Sequence, residues 1–182
     1  MQSPHLKIVF IGTTGSGKST LGRRAAALLG CQHTDLDDLF WLPEWRKREE
    51  TDFRHDVLAA TAAPSFVMSG NYFTIVSADL WPKADTLVWV DYSFWRIFWQ
   101  INRRTWQRLR DKNSICNGNY ETWGKVLSAD GILVWLFKSY RRNKKRYSAI
   151  FKDRHYPNLT YIRLANPKQV TAFLSSLERE SS

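Results

Sequence analysis

The sequence predicts an α/β protein whose parallel β-sheet is covered by helices on both faces. Short hydrophobic stretches typical of buried strands alternate with longer stretches in which apolar residues recur at helical spacing. A glycine-rich loop separates the first strand from the first helix. With 182 residues, 43% of them hydrophobic, the chain has enough apolar material for one core. We therefore expect a single domain over residues 1–182.

The glycine-rich loop carries the strongest functional signal. It reads Gly-Thr-Thr-Gly-Ser-Gly-Lys-Ser and fits the phosphate-binding pattern G-x-x-x-x-G-K-[ST] of P-loop NTPases. Glycines allow backbone N–H groups to curl around a phosphate, and the following helix N-terminus adds a favourable dipole. Lys18 can reach the β- and γ-phosphates of ATP, and the Ser19 hydroxyl can hold Mg²⁺. The predicted nucleotide-binding residues of the loop are Gly12, Thr13, Thr14, Gly15, Ser16, Gly17, Lys18, Ser19 and Thr20.

The strands are predicted from short runs rich in β-branched and aromatic residues, each of which stops at a glycine or at polar residues. In chain order, the predicted strands are 6–11, 32–36, 65–69, 86–90 and 159–164. In parallel sheets, ligands bind at the carboxyl ends of the strands. The candidate site residues that follow strands are 12–20, 35–38, 69–72, 91–93 and Asn166.

The helices are predicted between these strands from apolar residues at helical spacing and from residues that end helices. Gly30 ends the first helix, Pro64 ends the second, and Pro167 suits the first turn of the last. In chain order, the predicted helices are 21–29, beginning near Lys18, then 46–63, 75–81 as a short helix or turn, 94–111, 132–152 and 167–177.

An acidic cluster follows the second strand. Asp35, Asp37 and Asp38 lie just after Gly30, and the spacing Gly-x-x-x-x-Asp-x-Asp resembles that of small-molecule P-loop kinases such as shikimate kinases. That resemblance implies that Asp35 helps to hold Mg²⁺ together with Ser19, and that Asp37 binds the acceptor hydroxyl as a catalytic residue. The alternative is a solvated turn whose aspartate caps the next helix, and this alternative is favoured for Asp38.

Two other strand ends leave alternatives open. Ser69, which precedes Gly70, is uncharged and would be a weak partner for Mg²⁺, and the residues after it also suit a simple turn. Asp91 ends the fourth strand, where an acid often does no more than begin the next helix.

The net charge of +10 is concentrated in one region. Residues 93–155 contain 15 Lys and Arg against 4 Asp and Glu, a balance of +11, whereas the rest of the chain has 12 against 13. We interpret the part from about 103 to 146 as a helical lid that neutralises phosphate charge, with Arg104 and Arg142 as catalytic residues. A solvated basic face is the alternative for any single arginine.

The long helix at 94–111 contains three tryptophans. Trp95, Trp99 and Trp106 add a second apolar stripe to the one at 94, 97, 98 and 101, so we expect the first half of this helix to be buried nearly all round. Tryptophan is more often a core residue than a stacking platform.

With these positions in view, the chain resembles the bacterial adenylate-kinase-related P-loop NTPases known as DNA topology modulation proteins. The resemblance rests on Asp37 with the Trp41-Leu42-Pro43-Glu44-Trp45 stretch, on Gly70-Asn71-Tyr72, on Asn117-Gly118-Asn119-Tyr120-Glu121, on the run 141–147 and on 164–167. It implies a nucleotide-kinase type of three-layer sandwich with strand order 2-3-1-4-5. It also implies that Asn166 and Pro167 lie beside adenine, and that an acid usually occupies the position of Ser69.

The sequence thus favours a Mg²⁺- and ATP-dependent kinase acting on a nucleoside monophosphate or another small acceptor. The alternative is a nucleic-acid-associated ATP-binding regulatory protein, motivated by the basic region. GTPase function is disfavoured because Asn143-Lys144-Lys145-Arg146 lacks the acid of a guanine-reading motif.

Composition indicates the setting. We expect neither a membrane span nor a signal peptide, because the apolar runs are too short. Cys31 and Cys116 suggest neither a disulfide framework nor a metal site. We therefore expect a cytoplasmic protein, and we expect it to be a monomer or a homodimer. Attachment to a membrane surface through the Trp/Arg helix is disfavoured, because we expect that helix to cover the sheet.

Overall fold

The computed structural model describes residues 6–111, 114–115, 117–120 and 131–181. The strands are β1 Lys7–Gly12, β2 His33–Asp35, β3 Phe66–Ser69, β4 Thr86–Val90, β5 Ser114–Ile115, β6 Asn119–Tyr120 and β7 Thr160–Leu164. The helices are α1 Lys18–Leu29, α2 Leu36–Phe40, α3 Glu50–Ala60, α4 Phe73–Leu80, α5 Phe94–Asp111, α6 Ile132–Asp153 and α7 Pro167–Ser181. Two short 3₁₀ helices cover Pro43–Trp45 and Trp81–Lys83.

A five-stranded sheet lies at the centre, in the order β2-β3-β1-β4-β7. All four strand pairs are parallel. Because β7 is the fifth strand of this sheet along the chain, the predicted order 2-3-1-4-5 and the predicted α/β sandwich are confirmed. The register pairs Asp35 with Ser69 and Ser69 with Phe10, and it pairs Gly12 with Val90. The carboxyl ends of the strands therefore meet at one edge of the sheet.

Each face of the sheet is covered by its own core. Because side chains alternate along a strand, Ile8 and Phe10 of β1 pack on one face, and Val9 and Ile11 pack on the other. The first core contains buried residues of α1, α5 and α7, and the second contains residues of α2, α3 and α4. Helix α6 contributes to both cores. The three central strands, β1, β3 and β4, thus read as nearly continuous hydrophobic runs because both of their faces are buried.

Most predicted bounds agree with the structure to within a few residues, and the departures have local causes. Helix α3 begins at Glu50 rather than at 46, because the chain from 41 to 48 forms a loop closed by hydrogen bonds between Leu42 and Arg46 and between Arg48 and Phe40. Strand β2 ends at Asp35, whose Oδ1 accepts the Asp37 N–H at 3.1 Å and caps α2.

The prediction that Trp95, Trp99 and Trp106 are buried is wrong. Their exposed fractions are 69%, 70% and 61%. The core-facing line of α5 is instead Ile97, Ile101 and Thr105, which follow one another at intervals of four residues. The tryptophans lie roughly a third of a turn of the helix away from this line.

Within the described ranges, none of the helices combines the length and the apolar character that crossing a membrane requires.

Candidate active site

The glycine-rich loop joins the end of β1 to the start of α1 at the carboxyl edge of the sheet. The loop turns on the Ser16 N–H, which donates to the Thr13 carbonyl at 3.0 Å, and α1 begins with Leu21 N–H donating to Gly17 at 2.9 Å. Gly15 and Gly17 have φ angles of 75° and 92°, which only glycine adopts without cost. The sequence therefore forms the loop because glycines stand where the backbone is left-handed.

Helix α5 packs against this loop. A β-carbon on Gly15 would lie 2.2 Å from Cγ1 of Ile101, a fully buried residue, so the loop backbone and α5 are in close contact. The Ser16 hydroxyl is buried and has no hydrogen-bond partner among the described residues. A buried hydroxyl without a partner is costly. The loop thus contains polar groups whose hydrogen bonds an anion could complete.

A half-buried amide supports the start of the loop. The Asn71 Oδ1 accepts hydrogen bonds from the Gly12 N–H at 3.2 Å and from the Tyr147 hydroxyl at 3.0 Å. Asn71 follows β3, and the Gly70 N–H donates to the Phe10 carbonyl at 3.1 Å. Burial raises the pKa of Tyr147, so its hydroxyl stays protonated and acts as a donor. Asn71 and Tyr147 thereby connect α6 to the glycine-rich loop.

The cationic and hydroxyl groups predicted for catalysis stand on three helices. Lys18 is 7% exposed at the first residue of α1, and Ser19 is half-buried beside it. Arg104 is half-buried on α5. Arg142 is exposed on α6, and its guanidinium lies 5.4 Å from the ring centroid of Trp135. An arginine stacked in this way has a defined direction but remains accessible.

The predicted acceptor side consists of half-buried groups that follow β2 and β3. The Asp37 carboxylate accepts the Tyr72 hydroxyl at 2.7 Å, while Asp35 caps α2. Asp38 is exposed. Capping is therefore performed by Asp35 rather than by Asp37 or Asp38, and the Asp37 carboxylate is held by a tyrosine from the neighbouring strand end.

Ser69 is fully buried and lies beside an imidazole. The distance between Ser69 Oγ and His33 Nε2 is 3.0 Å. Burial lowers the pKa of His33, with Asp35 opposing this shift and Arg23 adding to it. The neutral imidazole of His33 therefore lies beside Ser69, the position at which the family resemblance implies an acid.

Asp91, the residue that follows β4, is a buried ion-pair partner. Its Oδ2 accepts the Arg163 Nε–H at 2.9 Å, and its Oδ1 lies 3.5 Å from Lys144 Nζ. Arg163 on β7 had no signal in the sequence beyond its position in a strand. Arg163 and Lys144 thus join β7 and α6 to the buried Asp91 carboxylate, which is 4% exposed and would be left uncompensated if both cations were removed.

The β5–β6 hairpin holds the loop that follows α2. Asn117 Nδ2 donates to the carbonyls of Asp38 and Trp41 at 2.7 Å each. Asn119 Nδ2 donates to Leu42 at 3.0 Å, and its Oδ1 accepts the Trp45 N–H at 2.7 Å. Two stretches that carry the family resemblance therefore contact each other. Glu121 lies outside the described residues.

Asn166 and Pro167 begin α7 at the carboxyl end of β7. The Asn166 Oδ1 accepts the Gln169 N–H at 3.0 Å, and Gln169 Oε1 accepts the Ala165 N–H at 2.7 Å. This reciprocal pattern fixes the turn after the edge strand. Asn166 and Pro167 are both exposed.

Two cavities bear on the position of the site, and the smaller one is lined by Gly70, Asn71, Tyr72 and Tyr147 next to this edge of the sheet. The described residues contain no group of three or more His, Cys, Asp or Glu side chains that could hold a metal ion. A cavity of about 580 Å³ lies between the 42–49 loop and α3, lined by charged residues that include Arg46, Asp52 and His55. Its lining shares no residue with the predicted site.

Comparison with solved structures shows the fold. A shikimate kinase from Acinetobacter baumannii in complex with shikimate is similar with a TM-score of 0.56 at 18% identity, covering 96% of this chain and 92% of that chain. An unliganded sugar kinase from Janibacter is similar with a TM-score of 0.53 at 14% identity, covering 98% of this chain and 99% of that chain. A gluconokinase from Sinorhizobium meliloti is similar with a TM-score of 0.50 at 17% identity, covering 100% of this chain and 91% of that chain.

The sequence matches no protein-family model and no curated protein. The membership implied by the resemblance to DNA topology modulation proteins therefore stays a prediction. The strand order, the loop between β1 and α1 and the likeness to these solved structures together give the chain the fold of the P-loop kinases.

Proposed function

We propose that this protein is an ATP-dependent phosphotransferase that moves the γ-phosphoryl group of ATP to a small acceptor, a nucleoside monophosphate being one acceptor class. The observation that carries the proposal is the loop itself, with left-handed Gly15 and Gly17. Just before α1, the buried Ser16 hydroxyl has no hydrogen-bond partner among the described residues. Backbone N–H groups in this arrangement form a site for phosphate oxygens.

The residues of the loop would bind and orient the triphosphate. Lys18 neutralises charge on the transferring group, and its burial strengthens that interaction by lowering the local dielectric. Asn71 and Tyr147 keep the start of the loop in place through Gly12. Asn166 and Pro167 are proposed to lie beside the adenine, since they follow the edge strand at the same end of the sheet.

The residues present fit Mg²⁺. Ser19 and Asp35 offer hard oxygen donors, and Mg²⁺ usually keeps several waters and uses only one or two protein groups together with phosphates. The absence of a three-acid cluster among the described residues is compatible with such a site. Ser19 and Asp35 would hold the ion, which when bound neutralises charge on the β- and γ-phosphates.

Asp37 is proposed to orient the acceptor. Its carboxylate is half-buried and accepts the Tyr72 hydroxyl, which leaves further lone pairs for a substrate hydroxyl. A positioned carboxylate can take the proton of that hydroxyl as the phosphoryl group moves. Arg104 and Arg142 are proposed to neutralise the phosphoryl oxygens from the region of about 103 to 146, acting as a lid that excludes water.

A second candidate is a nucleic-acid-associated ATP-binding protein. The observation that favours it is the charge of α5 and α6, which together carry 12 Lys and Arg against Asp111 and Asp153. A lid over phosphates requires the same residue types, so this charge does not separate the two functions. Salt-dependent binding to DNA or RNA that survives Lys18→Ala would favour the second candidate.

An acceptor panel tests the proposal. The protein is incubated with Mg²⁺ and ATP, and ADP production is measured with nucleoside monophosphates, nucleosides, shikimate or gluconate added one at a time. We expect at least one acceptor to raise ADP production, and we expect Lys18→Ala to abolish that increase. If no acceptor raises ADP production by the wild type above the level without acceptor, the proposal is wrong.

A further inference from the structure

The outward side of α5 exposes large aromatic rings that the two cores do not use. Trp95, Trp99 and Trp106 are 69%, 70% and 61% exposed, and Phe137 on α6 is 61% exposed. We call these four residues the tryptophan face. Exposed large apolar side chains are ordinary when scattered, but a contiguous group of them indicates an interaction surface.

Three of the four rings are connected through Phe98, and Trp106 lies further along the same side of α5. Phe98 lies between them, with its ring centroid 6.1 Å from Trp95, 6.3 Å from Trp99 and 6.4 Å from Phe137. Trp99 and Trp106 are seven residues apart, which is about two turns, so the tryptophans form one row along the helix. The row projects into solvent, since each of the three side chains is more than 60% exposed.

A line of arginines runs beside the row. Arg96, Arg103 and Arg110 follow one another at intervals of seven residues, roughly 60° around α5 from the tryptophans, and all three are exposed. Arg110 is also paired with the neighbouring Asp111 at 2.7 Å. On α6, the exposed Arg141 lies one turn after Phe137. In α5 and α6 the acids are confined to the last residues, Asp111 and Asp153.

We infer that the tryptophan face binds the surface of an anionic lipid bilayer. Indole rings prefer the boundary between headgroups and acyl chains, and arginines beside them can extend to headgroup phosphates. A helix lying in the membrane plane needs this sidedness, with aromatic residues along one line and cations along the next. The inference goes beyond the proposed kinase function and does not depend on it.

Charge and shape favour a bilayer over the other occupants. A second copy of the chain would bring two strongly basic faces together, and like charges oppose such pairing. A single-stranded nucleic acid is usually bound in a basic groove with bases stacked on its rings. Here the rings project from a convex helix, which suits a flat, deformable partner. Nucleic acid and self-association are therefore outcomes of the test.

The test is co-sedimentation with lipid vesicles. We expect the wild type to bind vesicles of phosphatidylcholine containing about 30% phosphatidylglycerol at low ionic strength, and to bind phosphatidylcholine vesicles much more weakly. Trp95→Ser/Trp99→Ser should reduce the partition coefficient by about tenfold or more. Arg96→Gln/Arg103→Gln should also reduce it and should flatten its dependence on salt.

Matched controls separate the face from general effects. Trp135→Ser removes a half-exposed indole roughly 160° around α6 from Phe137, and it should leave binding unchanged. Lys168→Gln/Arg179→Gln removes the same charge from exposed positions on α7, and it should have less effect than the α5 pair. The Trp95→Ser/Trp99→Ser protein should melt within about 2 °C of the wild type.

Five results would overturn the inference. The first four are no wild-type binding to the anionic vesicles, an equal loss of binding in Trp135→Ser, a marked loss of melting temperature in Trp95→Ser/Trp99→Ser, and displacement of vesicles by an oligonucleotide that binds more tightly. The third result would mean that the rings stabilise the chain itself, and the fourth would assign the face to nucleic acid. Dimerisation that is lost in Trp95→Ser/Trp99→Ser would assign it to a second copy and would equally overturn the inference.

Discussion

Replacing Gly15 by alanine tests whether α5 determines the shape of the glycine-rich loop. Gly15 has a φ of 75°, and an added β-carbon would lie 2.2 Å from Cγ1 and 2.6 Å from Cδ1 of Ile101. Left-handed backbone costs an alanine about 1–2 kcal/mol, and overpacking a buried contact costs about 1–3 kcal/mol. We therefore expect Gly15→Ala to reduce the free energy of unfolding by about 2–5 kcal/mol.

Gly17→Ala is the matched control. Gly17 has a φ of 92°, but nothing lies within 4 Å of the β-carbon it would gain, so only the backbone cost applies. We expect a loss of about 1–2 kcal/mol. The assay is urea denaturation of both variants, followed by titration with ATP. The difference between the two measures the contact with Ile101.

A double variant makes the reasoning refutable. Ile101→Ala alone should cost about 2–5 kcal/mol, because it opens a cavity in a fully buried position. In Gly15→Ala/Ile101→Ala the new methyl group occupies part of that cavity, so the loss should be smaller than the sum of the single losses. Equal destabilisation by Gly15→Ala and Gly17→Ala, together with additive losses in the double variant, would refute the packing of the loop on α5.

Three further predictions concern side chains around the loop. Asp37→Asn keeps an acceptor for the Tyr72 hydroxyl but loses the negative charge. Phosphoryl transfer should therefore slow by about 100-fold or more, with ATP affinity unchanged. The control Asp38→Asn should have little effect in the same kinetic assay. Tyr147→Phe removes the buried hydroxyl bond to Asn71, and thermal denaturation should show a loss of about 1 kcal/mol. Because burial lowers the pKa of His33 below 6.5, its contribution to stability is complete above that pH and is lost as the pH falls through the folded-state pKa. The melting temperature should therefore fall less between about pH 7.5 and pH 5 in His33→Gln than in the wild type, and an equal fall would contradict the prediction.

The sheet could be predicted from the sequence because its three central strands are buried on both faces. The run at 86–90 is apolar throughout and coincides with β4, and the glycine pattern identified the loop from Gly12 onward. Strand order came from the family resemblance rather than from the pattern. The short α2 was missed, because the side chain that caps it belongs to Asp35, which the sequence presented as a metal ligand.

The error on α5 has a physical origin. An aromatic residue at helical spacing predicts a buried face, but the pattern cannot show how many faces of a helix find partners. In the structure, the line through Ile97 and Ile101 faces the sheet, and Phe94 contacts Tyr140 and Phe137 of α6. The remaining side, which carries Trp99, has no apolar partner large enough to cover it within the described residues.

Contacts between distant parts of the chain could not be predicted from the sequence. Nothing in the order of residues indicates that Tyr147 and Gly12 share the Asn71 amide, since they are separated by most of the chain. The same holds for Asp91 and Arg163. The Gly70-Asn71-Tyr72 stretch after a strand was the usable signal. It indicated residues near the loop, but it did not show that Asn71 binds Gly12 and Tyr147.

The most direct test of the central claim is calorimetric titration with ATP and Mg²⁺. We expect the wild type to bind one ATP per chain. We expect Lys18→Ala to bind ATP at least tenfold more weakly, which corresponds to a loss of about 1.4 kcal/mol of binding free energy. Lys168 is an exposed lysine outside the loop, and we expect Lys168→Ala to bind ATP like the wild type. Equal affinities of all three proteins, or no binding by the wild type, would contradict the assignment of the loop as a nucleotide site.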